Sequence, residues 1–156
     1  PTWAEAQIAI ADHMRREDKY AAAIEAYDRA FALMPKGQSD VWQIYLARGT
    51  ALESLKQHDR AEADFRKALA ISPDESEVLN YLGYSLIERG VKLAEGREMI
   101  EKAFKLRPNS GHIIDSLGWA LYLMGEADKA RTTWQRGVSR FPDNAELRQK
   151  MEGRAR

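Results

Sequence analysis

The chain has 156 residues, with 24 Lys plus Arg against 24 Asp plus Glu, so its formal net charge is zero; hydrophobic residues make up 44%. That balance excludes the strong positive field needed for non-specific nucleic-acid or anionic-membrane binding, and the composition excludes a disordered chain. The absence of cysteine excludes disulfides, thiolate metal sites and cysteine nucleophiles.

No run approaches the roughly 18 apolar residues of a bilayer-spanning helix. The opening Pro1-Thr2-Trp3-Ala4 carries neither a basic segment nor an apolar signal core. A chain lacking an initiator Met is read as a mature product or an excised fragment, so the compartment stays open.

Taken in chain order, helical stretches alternate with turns. A first stretch gives way near Arg16–Lys19, and a second runs to Pro35. After a linker at 38–41, with Ser39 or Asp40 as N-cap, a third reaches the break at Lys56–His58 and a fourth ends at Pro73. Ser76 starts a fifth, which stops at Arg89–Lys92 ahead of a sixth ending at Pro108. Ser110 opens a seventh, broken at Met124–Glu126, and the eighth ends at Pro142. Asp143 caps a short final helix bearing Leu147 and Met151 on one side. Each proline stops its helix because it lacks an N–H and its ring clashes with the preceding turn.

These four prolines are spaced by 38, 35 and 34 residues, the interval of a stacked-repeat protein. Five residues before each stands a small residue: Ala30, Ala68, Ala103 or Gly137. Eight before stands a bulky apolar one: Tyr27, Phe65, Ile100 or Trp134. Twelve before is small again, at Ala23, Ala61, Gly96 and Ala130. Twenty-four before come Ala11, Gly49 and Gly118, with Gly83 one residue earlier; that offset predicts one inserted residue in the turn around Gly90-Val91-Lys92. Two antiparallel helices close to about 8–10 Å only where small residues permit it. Ala or Gly marks the crossing, and the bulky residue fills the gap beside it.

At these residues the chain resembles the tetratricopeptide repeat family, whose pattern is an aromatic, Leu-Gly, an aromatic or Leu, then Ala, an aromatic, Ala and Pro. The matching residues are Leu82-Gly83…Leu86 and Leu117-Gly118…Leu121…Ala130…Trp134…Pro142. The phrases Asn80-Tyr81-Leu82-Gly83-Tyr84-Ser85-Leu86 and Asp115-Ser116-Leu117-Gly118-Trp119-Ala120 are similar to a subgroup common in bacterial, often exported, repeat proteins. The resemblance implies an all-α, right-handed α-solenoid of four helix-turn-helix repeats plus a C-terminal capping helix. Repeats at about 4–37, 42–75, 76–110 and 111–144 and a cap at about 144–152 form a single domain over 1–156. Departures are Arg48 where an apolar residue is usual, Gly96 and Gly137 in place of Ala, and the linker at 38–41. They place packing between the first two repeats in question.

In such a solenoid the first helix of each pair lines the concave side. The face opposite Leu82, Gly83 and Leu86 carries Glu77, Asn80, Tyr81, Tyr84 and Glu88; its counterpart carries His112, Asp115, Ser116, Trp119 and Tyr122. The first two repeats offer Glu5, Ile8, Asp12 and Arg15, then Gln43, Ala47, Thr50 and Glu53. The expected partner-binding groove is therefore Asn80, Tyr81, Tyr84, His112, Asp115, Trp119 and Tyr122. Its aromatics serve either as a peptide-binding surface or as packing between successive first helices. A Lys/Arg/Asn clamp for a ligand's carboxylate is not expected, since Asp12, Glu53 and Asp115 occupy that face. A partner with basic or apolar side chains fits better.

Candidates for chemistry are few. His112, Asp115 and Ser116 share one helical turn, but side chains radiating from one helix do not converge as a catalytic triad requires. His112 with Asp115 offers two metal ligands, too few for a site. His13 and His58 read as solvated, and Asp59-Arg60-Ala61-Glu62-Ala63-Asp64 as the exposed start of a helix. The basic residues Arg148, Lys150, Arg154 and Arg156, against Glu146 and Glu152, read either as a basic arm or, preferred, as the polar outer face of a cap. The expectation is a non-catalytic protein–protein interaction scaffold, without cofactor, metal, nucleic acid or membrane span. The alternative is a self-assembly element using the solenoid ends for homo-oligomerisation, or an accessory region of a larger, exported bacterial protein.

Overall fold

The computed structural model describes residues 2–35, 41–143 and 145–154. They form nine helices and, among the described residues, no strand: α1 Trp3–Arg16, α2 Tyr20–Leu33, α3 Trp42–Ser54, α4 His58–Ile71, α5 Ser76–Glu88, α6 Leu93–Leu106, α7 Gly111–Leu123, α8 Ala127–Arg140 and α9 Ala145–Arg154. Two units divide them, α1–α4 within Pro1–Pro73 and α5–α9 within Asp74–Arg156.

The turn inside each hairpin is the same device used four times. In the first, the Lys19 N–H donates to the Met14 carbonyl and the Asp18 N–H to that of Arg15; the pairs Gln57–Leu52, Val91–Leu86 and Glu126–Leu121 repeat it. This is a Schellman closure, which satisfies the last carbonyls of the first helix by putting one residue in the left-handed region. Asp18, Lys56, Gly90 and Gly125 take that role. Three turns have three residues between helices and the third has four, Arg89–Lys92, with Lys92 also left-handed. The extra residue expected near Gly90 is thus accommodated in that turn. At the other end of each hairpin, Met34, Ser72, Arg107 and Phe141 leave the helix immediately before proline.

Helix starts differ from expectation. Ser76 is the first residue of α5, whose cap is the extended Glu75, and Ser110 caps α7 without a side-chain hydrogen bond. The reciprocal capping box belongs to α1, between Thr2 and Glu5. Ser39 and Asp40, and the side chains of Leu147, Lys150, Met151, Arg154 and Arg156, lie outside what is described.

All sixteen positions of the small/bulky pattern are buried. A Cβ on Gly49 would sit 2.6 Å from Cε1 of Phe65, and one on Gly118 would run into the Trp134 indole. In the third hairpin a Cβ on Gly83 would lie 2.6 Å from the Gly96 carbonyl oxygen and 2.8 Å from Cγ1 of Ile100. Each glycine therefore faces the bulky residue of its own hairpin, and in α5/α6 two glycines let the backbones meet.

In the N-terminal unit, Ala11, Ala23, Ala26, Tyr27 and Ile44 form one core cluster with Ile8 and Ala47 packed on it. The Tyr27 hydroxyl donates to Asp12 at 2.5 Å and accepts from Arg15 Nε at 3.3 Å. Burial, reinforced by the Asp12 bond, pushes the phenol up to about 12. Asp12, Arg15, Ile8 and Ala47, expected along the groove, are half-buried and also support this cluster.

Arg48 does not loosen the packing of the first two hairpins. Its guanidinium donates twice to Asp64 and once to Asp28, each at 2.7 Å, and lies 4.4 Å over the Phe31 ring. It joins α3 to α2 and α4, with its side chain 18% exposed and that of Asp64 6%. The charge run 59–64 is correspondingly not wholly exposed: Asp64 and Ala61 are buried. His58 is also engaged, its Nδ1 lying 3.1 Å from Glu53.

The C-terminal unit is built on Ile114, Leu121, Ala130 and Trp134, with Ile87, Ile100 and Ala120 forming a neighbouring cluster. Helix α9 packs on α7 and α8.

Two stability experiments follow from this packing. Trp134→Ala empties a buried indole site and is expected to cost about 3–5 kcal/mol, and Gly83→Leu about 1–3 kcal/mol or more, as read from urea midpoints. Asp64→Ala leaves the half-buried Arg48 with Asp28 alone and is expected to cost about 1–3 kcal/mol, whereas Arg48→Met with Asp64→Leu should be close to neutral. Equal losses in these last two proteins would contradict the ion-pair account.

Candidate partner-binding site

Helix α5 holds Glu77, Asn80, Tyr81, Tyr84 and Glu88 at offsets of three, four, seven and eleven, which gather on one stripe of a 3.6-residue helix. Its opposite stripe, Val78, Leu82 and Leu86, is buried. Helix α7 packs beside α5, with His112 exposed and Asp115 and Ser116 buried. Between them opens a hollow of about 290 Å³ lined by Asn80, Tyr81, Tyr84, His112 and Ser116, with Ile113 at its base and Glu77 at its edge.

Five of the residues expected in the groove are distributed as follows. Tyr81 is 45% exposed, Tyr84 half-buried and His112 exposed, so all three offer surface to a ligand. Asn80 is only 8% exposed, and its Oδ1 is fully buried without a hydrogen-bond partner. A buried amide oxygen left this way costs about 1–3 kcal/mol. Asp115 is 2% exposed, so it belongs to the interior of the helix pair, and it does not share the open side with His112.

Trp119 and Tyr122 belong to a second cluster. Their rings stack with centroids 5.5 Å apart, Tyr122 meets Trp134 at 6.2 Å, and the Trp119 indole N–H donates to Glu88 at 2.6 Å. Tyr122 is nevertheless 47% exposed. The two readings of the aromatics thus apply to different residues: Tyr81 and Tyr84 line an open hollow, while Trp119 and Tyr122 are half-occupied by their neighbours. Ser116, which its spacing from His112 already placed on that face, and Ile113, which spacing did not, complete the hollow.

Elsewhere, Arg97 bridges Glu101 on its own helix and Glu126 in the α7–α8 turn, and Glu126 also takes Lys129. Hydrogen bonds from these cations hold the Glu126 carboxyl below its usual range. Among the described residues no three His, Asp or Glu side chains gather as a metal site. No helix of the described residues is long and apolar enough to cross a membrane.

The helix-hairpin architecture and its small/bulky pairing define a tetratricopeptide repeat protein. Family profiles described as tetratricopeptide repeat match residues 8–76 and 116–144, together well over half of the chain. The chain belongs to the tetratricopeptide repeat family. It is 40% identical over 91 residues to a repeat-containing protein of Pseudomonas aeruginosa, covering 57% of this chain and 15% of that relative. The chain thus spans about 15% of the length of the curated relative it matches. Among solved structures it is similar to MamA from Desulfovibrio magneticus RS-1, with TM-score 0.81, 17% identity, and coverage of 99% of this chain and 84% of that one. It is also similar to YrrB, described as a tetratricopeptide protein with an unusual peptide-binding site: TM-score 0.71, 19% identity, 95% and 74% coverage. At these identities the likeness shows the fold, that of the all-α tetratricopeptide solenoids.

Because the Asn80 amide oxygen is buried without a partner, it contributes little to stability. Asn80→Leu is expected to leave the urea midpoint unchanged or raised; a fall of more than about 1 kcal/mol would show that the amide is paired.

Proposed function

We propose that the chain is a non-catalytic protein-interaction module, forming a single domain, that holds a peptide segment of a partner along its first helices. The contact residues are Asn80, Tyr81, Tyr84 and His112, with Trp119 and Tyr122 extending the surface and Asp115 supporting it from below. The observation that carries this reading is the hollow between α5 and α7, lined by the accessible Tyr81, Tyr84 and His112. The tyrosines supply contact area at low entropic cost, over a lining that includes the Asn80 side chain. Glu77 at the rim favours a segment with basic or apolar side chains. Family membership supports a scaffold without catalysis, and YrrB's peptide-binding site supports a peptide as the ligand class.

The test is selection of a displayed library of random peptides on the folded protein, followed by counter-selection on Tyr81→Ala/Tyr84→Ala. The expected winners carry Lys or Arg beside an apolar residue and lose roughly tenfold or more in affinity for the double variant, about 1.4 kcal/mol. Winners that bind both proteins equally would remove the site from α5 and α7. Light scattering on the same samples reads out the rival, self-association through the solenoid ends.

A further inference from the structure

We propose that the C-terminal unit has a second docking face, between α6 and α8, that takes an acidic peptide segment anchored by an apolar side chain. Helices α6 and α8 each pack on α7. Over α7 they leave a hollow of about 710 Å³, floored by Phe104, Ile114 and Leu117. At 100° per residue, Ile114 and Leu117 lie on nearly the opposite side of α7 from His112 and Ser116, so this face is distinct from the tyrosine hollow.

The α8 wall determines what fits. The hydroxyl of Thr133 donates to the Lys129 carbonyl at 2.8 Å, and that of Thr132 to Asp128 at 2.9 Å. Both threonines line the hollow with their hydroxyl donors already engaged by the backbone. Arg136 and Arg140, one helical turn apart, also line it. Both are exposed, and neither forms an ion pair with a carboxylate among the described residues, unlike Arg48 and Arg97. An apolar floor under two guanidinium groups that pair with no carboxylate among the described residues complements a segment that places a leucine-like side chain between carboxylates. The cavity lies within the size range of pockets that enclose ligand groups. Two cations on a chain of zero net charge are too few for nucleic acid, which is held by many phosphate contacts, and a recess suits a protruding side chain better than a lipid surface.

The same displayed library provides the test, now counter-selected on Arg136→Glu/Arg140→Glu and on Thr133→Phe, which fills the hollow without altering charge. Circular dichroism establishes that both variants keep their helicity. The expected winners combine Asp or Glu with Leu, Ile or Phe, lose roughly tenfold or more in affinity for each variant, weaken with added salt, and bind Tyr81→Ala/Tyr84→Ala undiminished. The proposal is overturned if no acidic peptide is enriched, or if acidic peptides bind the variants as well as the parent. It is equally overturned if phosphatidylserine vesicles or single-stranded DNA, and no acidic peptide, show binding that the arginine reversal abolishes. Loss of binding only in the tyrosine variant would assign the winners to α5 and α7 and leave this face without a ligand.

Discussion

The structure depends on how closely two helices of a hairpin can approach. A residue without a side chain, or with only a methyl group, sits where the helices cross, and a ring or branched chain from the partner helix occupies the space beside it. Phe65 over Gly49 and Trp134 over Gly118 are the clearest cases, since no Cβ fits beneath either ring. Glycine inside a helix carries a cost of about 1 kcal/mol against alanine, and burial of the facing aromatic offsets it. With one stripe of each first helix committed to this contact, its other residues are released for a different purpose. The presence of a polar and aromatic stripe on α5 follows from that commitment.

Much of this was legible in the sequence because close approach restricts residue size at fixed offsets from each proline. Ala30, Ala68, Ala103 and Gly137 share one restriction, and Tyr27, Phe65, Ile100 and Trp134 another. Arg48 could be seen as a departure, but not its resolution. Its partners Asp28 and Asp64 are 20 and 16 residues away, and only the packed hairpins bring them to one guanidinium. The same holds for Asp12 and Arg15, whose spacing suggests a groove but whose side chains close on Tyr27.

The candidate site divides along similar lines. Spacing within one helix placed Asn80, Tyr81 and Tyr84 together, since all three belong to α5. Spacing could not show that Trp119 spends its N–H on Glu88, or that Tyr122 leans on Trp134, because those partners arrive from other helices. Nor did it single out Arg136 and Arg140, which in sequence look like any solvated pair. What distinguishes them is the apolar floor contributed by α6 and α7. Helix α7 thus faces recesses of opposite character on its two sides, one edged by a carboxylate and the other by guanidinium groups.

The four-residue turn at Arg89–Lys92 has a practical consequence. Here the chain already tolerates a longer connection while the Val91–Leu86 closure and the start of α6 at Leu93 are kept. Length at this corner is therefore decoupled from the register of the helices on either side. A spectroscopic label or epitope grafted there would report on the C-terminal unit from a point on neither recess.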